Sequence, residues 1–236
     1  MAAVLEDELY SAIQVKFMTA LETVNTAVFT PAGSPAFEAA TAFPNGRTEK
    51  FLDLNGSSHR YGFDASSWSV DSGIVNVWVK PDFIQTDAEN NTVLALYSST
   101  TTDGLQFGMY AGIDDWSAYI YMDGGVQQAD TVGLTWSLDS VQHWVAMWHK
   151  TAGLDNSKSL SIYKDNVLVA TQTTTWTTDG TDAFSTTADL GSDLAGAGDW
   201  FDGGIFDMTY LSYTTLAASH TDAEIVQALY SNTYSG

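Results

Sequence analysis

The chain has 236 residues, 44% hydrophobic and 13% aromatic, so it carries enough apolar material for a packed core and is not a disordered polymer. Against 29 Asp and Glu stand only 8 Lys and Arg, a formal charge of -21 that excludes nucleic acid and anionic membranes as partners. Cysteine is absent, which excludes disulfides and thiolate metal sites, and no stretch reaches the roughly 20 apolar residues of a membrane-spanning helix.

Glu6, Asp7 and Glu8 stand where a signal peptide would be basic, so the chain is expected to be made without ordinary export. Residues 3–28 are predicted to form an amphipathic helix. Leu5, Leu9, Ile13, Phe17, Leu21, Val24 and Val28 recur at steps of four or three, and the acidic first turn suits the helix dipole. Pro31, Gly33, Pro35, Pro44 and Gly46 then punctuate short apolar pieces, as in an extended arm. Residues 1–49 are therefore expected to be a helix and arm that anchor or oligomerise, and residues 50–236 the main domain.

From residue 50 the pattern is β. Phe51 to Leu54 reads as a strand ending in the turn Asn55-Gly56-Ser57-Ser58, and Ile74 to Val79 as a strand of β-branched and aromatic residues stopped by Lys80-Pro81. Val93–Tyr97, Leu105–Tyr110 and Ala118–Met122 follow, separated by Asp- and Gly-rich turns. Leu105, Phe107 and Met109 alternate with Gln106, Gly108 and Tyr110, which predicts one buried and one exposed face. Trp144–His149 and Leu160–Tyr163 are further strands, the latter closed by a tight turn at Asp165-Asn166, where both residues tolerate positive φ. The Thr-rich stretch 171–187 reads as strand edges and loops. Ile205–Tyr213 is the last long strand, and Thr221-Asp222-Ala223-Glu224 is a capping box opening a short C-terminal helix through Tyr230.

Regular short strands with turn signals between them predict an all-β antiparallel sandwich or barrel. The order and spacing of His143–Ala146, Leu160–Val169, Trp200–Leu211 and Ala223–Tyr230 resemble the laminin-G-like branch of the concanavalin A-like lectin/glucanase superfamily, over roughly residues 50–231. That resemblance implies a jelly-roll sandwich of two antiparallel sheets, used for binding and sometimes for catalysis. It also implies a calcium site at Asp53, Asn55 and Asp207, with Asn55 standing where the family usually has Asp.

The chemistry needed for catalysis is not visible in the sequence. Glycosidases on this fold place two glutamates about an aspartate on one strand, whereas Glu here occurs only at 6, 8, 22, 38, 49, 89 and 224, none on a predicted central strand. Lyases need a basic patch for a polyanionic substrate; Arg47 and Arg60 are the only arginines, and His143 and His149 read as strand-end residues. No serine or cysteine nucleophile constellation is present. Aromatic residues beside polar loops can stack on sugars, and the candidates are Trp116, Trp136, Trp176 and Trp200 in or near loops, with Tyr119 and Tyr121 on a neighbouring strand. Trp78, Trp144 and Trp148 are assigned to the core. Two functions are consistent with these features: a virion surface protein such as a capsid decoration or fibre component, held as a homo-oligomer (a trimer) and to other virion proteins through residues 1–49, or a secreted calcium-dependent module binding a cell-surface glycan.

Overall fold

The computed structural model describes residues 13–16, 30–33, 36–37, 41–44, 46, 48–49, 51–84, 86–87, 89–98, 104–111, 115–122, 125–176, 183–193 and 198–231. Five short strands come first: β1 (Ile13–Lys16), β2 (Thr30–Ala32), β3 (Ala36–Phe37), β4 (Thr41–Ala42) and β5 (Thr48–Glu49). They are followed by β6 (Leu52–Asn55), β7 (Arg60–Phe63), β8 (Ser72–Pro81), β9 (Asn91–Ser98), β10 (Gly104–Tyr110), β11 (Asp115–Met122) and β12 (Gly125–Asp130). The last third adds β13 (Gln142–His149), β14 (Leu160–Lys164), β15 (Val167–Gln172), β16 (Phe184–Leu190) and β17 (Asp202–Leu211), then α1 (Tyr213–Leu216) and α2 (Asp222–Ser231).

Fifteen of these strands form two antiparallel sheets, and β4 and β5 pair with each other apart from them. One has the order β15-β14-β13-β8-β17-β6-β3, with β1 also paired to β17; the other runs β12-β11-β10-β9-β16-β7-β2. The jelly-roll sandwich expected from the sequence is thus present. Between the sheets lies the main core, to which β8 contributes Val75, Val77 and Val79, β10 Leu105, Phe107 and Met109, and β13 Trp144, Ala146 and Trp148. Trp116 stacks on Trp144 with ring centroids 4.3 Å apart.

The outer face of the first sheet is also covered. Ile74, Val145, Met147 and Leu211 point away from the main core and pack on Tyr213, Leu216, Ile225, Val226 and Leu229 from the two helices. Burial on both faces explains why β8 and β13 read as nearly unbroken apolar runs. The capping box forms as predicted: Glu224 accepts from the Thr221 amide at 2.9 Å, and the Glu224 amide donates to Thr221 Oγ1 at 3.3 Å. The Asp165-Asn166 turn forms too, with φ of 47° and 67°.

The N-terminal span departs from expectation where it is described. Ile13–Lys16, expected within a helix, is a strand whose Ile13, Val15 and Lys16 pair with Leu211, Tyr210 and Thr209 of β17. The reason is local: Ile-Gln-Val-Lys alternates apolar and polar with period two, and β17 extends past the end of β6, leaving main-chain groups there to be paired. Leu5, Leu9, Phe17, Leu21, Val24 and Val28 lie outside the described residues. Within the arm expected over 29–49, β2 pairs with β7 and β3 with β6, so these two pieces belong to the sandwich, while β4 and β5 pair with each other.

Candidate functional site: a loop cleft at Trp200

Two connections cross between the sheets at the same end of the sandwich. Residues 82–90 lead from β8 in one sheet to β9 in the other, and residues 191–201 lead back from β16 to β17. Since β9 pairs with β16 and β8 with β17, the two loops must meet. They are held together by main-chain and amide hydrogen bonds. The Thr92 amide donates to the Asp199 carbonyl at 3.0 Å, Asp82 N to Asp202 O at 3.0 Å, and Gly191 N to Val93 O at 2.8 Å. Asn91 Oδ1 accepts from the Asp202 amide at 3.2 Å, and Asn90 Oδ1 from the Ala111 amide at 2.9 Å. Asn90 Nδ2 donates to Asp199 Oδ2 at 3.1 Å.

Where the loops meet there is an open cleft of about 320 Å³, lined by Glu89, Asn90, Asp199 and Trp200. Asp199 sits in the left-handed region (φ 48°), and Trp200 then bridges to Thr92 before the chain enters β17. Phe201, the next residue, turns inward, is fully buried and packs on Phe83 at 5.6 Å, so its neighbour Trp200 is left at the surface. Trp68, Trp78, Trp116, Trp136, Trp144, Trp148 and Trp176 are all buried. Of the eight tryptophans, Trp200 is the one that reaches solvent.

The surroundings are acidic. Burial, and then the charge of Asp199, raise the pKa of Asp193, whose Oδ1 is buried without a hydrogen-bond partner among the described residues. Burial, followed by Asp82, Asp53 and Asp87, raises that of Asp202.

Of the expected sugar-stacking residues, the structure brings only Trp200 to this cleft. Trp116 (0% exposed), Trp136 (9%) and Trp176 (8%) belong to the core, which corrects their assignment as platforms. Their nearness to turns in sequence is not exposure: Trp116 is the second residue of β11 and points between the sheets, and Trp136 donates its indole N–H to the Phe83 carbonyl at 2.9 Å. Tyr119 lies on the opposite face of β11, edge-on to Tyr110 at 4.6 Å and hydrogen-bonded by Gln128 Nε2 at 2.9 Å. The backbone of Tyr121 pairs with Gly104 and Val126, and its side chain lies outside the described residues. Glu89, Asn90 and Asp199 were not singled out from the sequence; the usable signal was the Gly198-Asp199-Trp200 step just before the last long strand.

Of the implied calcium ligands, Asn55 is engaged in a turn. Asn55 Oδ1 accepts the backbone N–H groups of Ser57, Ser58 and His59 at 3.2, 3.0 and 3.1 Å, so the oxygen a cation would need is already engaged in holding the turn. Asp53 lies opposite Gly204 on β17. Asp207 is three residues further along, about 10 Å at the rise of a strand, where Asp207 and Met208 together oppose Val77 in a bulge. The Asp207 side chain lies outside the described residues. Among the described residues no three His, Asp or Glu side chains converge as metal ligands.

The arrangement is that of a two-sheet antiparallel jelly roll with an aromatic-bearing loop cleft at one end. The same fold is found in a structure of botulinum neurotoxin type C, a toxin whose cell entry depends on interaction with two ganglioside molecules (TM-score 0.68, 12% identity, 95% of this chain and 52% of that one). It recurs in the binding domain of botulinum neurotoxin DC in complex with SialylT (TM-score 0.61, 11% identity, 95% and 52%). Domain 4 of AbnA, a GH43 extracellular arabinanase from Geobacillus stearothermophilus seen in complex with arabinotriose, is similar as well (TM-score 0.60, 14% identity, 87% and 97%). The chain spans about half the length of the neurotoxin chains and nearly all of the arabinanase domain. At these identities the shared property is the fold. No family model and no curated protein matches the sequence.

Proposed function

We propose that this chain is a non-enzymatic glycan-binding module of the concanavalin A-like, laminin-G-like kind, and that it binds through the cleft at Trp200. The observation that carries this reading is the placement of one solvent-reaching indole beside Glu89, Asn90 and Asp199 on loops pinned to both sheets. An indole face stacks on the apolar face of a sugar ring, and the polar groups around it take hydroxyls. Hydrogen bonds that hold Asn90 and Asp199 in place lower the entropic cost of ordering them. The fold neighbours support it, since among them are a ganglioside-dependent toxin and an arabinanase domain holding arabinotriose.

Binding rather than hydrolysis is favoured by the placement of the carboxylates that line the cleft. A glycosidase holds two carboxyl groups across the scissile bond, whereas Glu89 is exposed on its loop and Asp199 already accepts from Asn90. The test is a glycan array probed with the wild type and Trp200→Ala. Hits are expected to weaken at least tenfold in the variant while its circular dichroism stays unchanged; undiminished hits would remove the cleft from the account.

The proposal extends to context. The module is displayed on a surface, that of a virion or the outside of a secreting cell, as a homotrimer fastened through residues preceding β1. The chain's acidity suits such display, and no helix among the described residues is long and apolar enough to cross a membrane. Light scattering on the full chain and on a chain lacking residues 1–12 examines this: a trimer that dissociates on truncation is expected, and a monomeric full chain contradicts it.

A further inference from the structure

From the charge and hydrogen-bonding character of the Trp200 cleft, we infer that its ligand is a neutral glycan and that sialylated, sulfated or uronate-bearing sugars are selected against. The inference rests on the glycan-binding reading above. The two loops that build this end contain Asp82, Asp87, Glu89, Asp193, Asp199 and Asp202, and between residues 82 and 91 or 191 and 202 there is no lysine, arginine or histidine. The described cations with printed ion pairs are committed elsewhere: Arg60 to the buried Asp189, Lys80 to Asp139, Lys150 to Asp71 and Lys164 to Asp165. None of them lines the cleft.

Two features of the site act in the same direction. The first is charge: two carboxylates at roughly 6 Å from an anionic group weaken its binding by about tenfold even at a dielectric close to that of water. The second is the type of group on offer. Glu89 and Asp199 are acceptors, and one of the two N–H groups of Asn90 Nδ2 is engaged with Asp199, which leaves its second N–H and the Trp200 indole N–H as the side-chain donors of the lining. A sugar hydroxyl donates to such acceptors, whereas a ligand carboxylate or sulfate is itself acceptor-only and meets two carboxylates for these few neutral donors. Burial raises the cost of further negative charge here, since Asp193 and Asp202 are already shifted toward their protonated forms by burial and by their acidic neighbours.

The experiment is an array of matched pairs, each neutral glycan printed beside its sialylated or sulfated counterpart, read with the full chain at about 20 mM and about 300 mM salt. The expected result is that hits are neutral glycans, that adding an acidic group to a hit lowers binding about tenfold at low salt, and that the gap narrows at high salt. Glu89→Gln with Asp199→Asn is expected to narrow the gap at low salt as well. Charged counterparts that bind as well as or better than their neutral parents overturn the inference and leave the glycan-binding reading standing. The absence of hits in both classes overturns the glycan-binding reading, and this inference with it.

Discussion

At Asn55 a single side-chain oxygen collects three backbone N–H groups and closes the turn that follows β6. Asn55→Ala is therefore expected to cost about 1–2 kcal/mol of stability. The same loss should appear in denaturant melts run with calcium and with a chelator; a loss seen only with calcium would make Asn55 a metal ligand after all. Residue-level reading of the sequence succeeded where side-chain chemistry is local, as at the Asp165-Asn166 turn and the Thr221–Glu224 capping box. It failed where direction decides. Trp116 and Trp200 both follow an Asp near a loop, but Trp116 lies on the inward side of its strand, while Trp200 has Phe201 beside it to take the inward place. Sequence proximity to a turn does not encode which of two adjacent aromatics faces the core.

Among the elements, α2 is tied to the sheet by a reciprocal pair of acidic residues. The Asp155 amide donates to Asp222 Oδ2 at 3.0 Å, the Asp222 amide to Asp155 Oδ2 at 2.9 Å, and Tyr213 Oη to Asp222 Oδ1 at 2.8 Å. Asp222 is buried, so Asp222→Ala takes the acceptor from the part-buried Asp155 amide and leaves Tyr213 Oη only the Gly153 carbonyl at 3.2 Å, and is expected to cost about 1–3 kcal/mol, measured by urea unfolding. A cost under about 0.5 kcal/mol would mean that this contact does not secure the helix. Strands buried on both faces, such as β8 and β13, were legible because their composition is unambiguous. β16 was not: Phe-Ser-Thr-Thr-Ala-Asp-Leu looks like a loop, yet it sits between β9 and β7, with Ala188 and Leu190 turned to the core and Asp189 paired with Arg60. β1 was hidden for a related reason. Its two apolar residues fit a period-two strand, while Ile13 also falls on the four-residue repeat of its flanks, and only the exposed edge of β17 decides between them.

Over the whole molecule, negative charge and buried carboxylates set the response to solvent. Asp193, Asp202 and Asp222 all have raised pKa values, with burial the largest cause in each. A carboxyl whose folded pKa lies above its unfolded value holds its proton longer in the native state, so stability falls as pH rises from about 4 through the raised folded value. The exposed Asp64 and Glu224 are shifted the other way, by local hydrogen bonds, and solvent screens their effect. Calorimetry is thus expected to give a higher Tm near pH 5 than near pH 7.5, and at pH 7.5 a rise of about 2–4 °C for each kcal/mol gained as salt screens the charge of -21. A Tm that rises with pH or falls with salt would contradict this. Whether one tryptophan makes the binding surface can be read from the eight indole N–H resonances in a nitrogen-15 correlation spectrum, assigned by single Trp→Phe substitutions and followed while a neutral oligosaccharide hit is titrated. The Trp200 resonance is expected to move with ligand while the seven buried ones stay in place; movement of a buried indole with Trp200 unmoved would rule out a binding surface at Trp200.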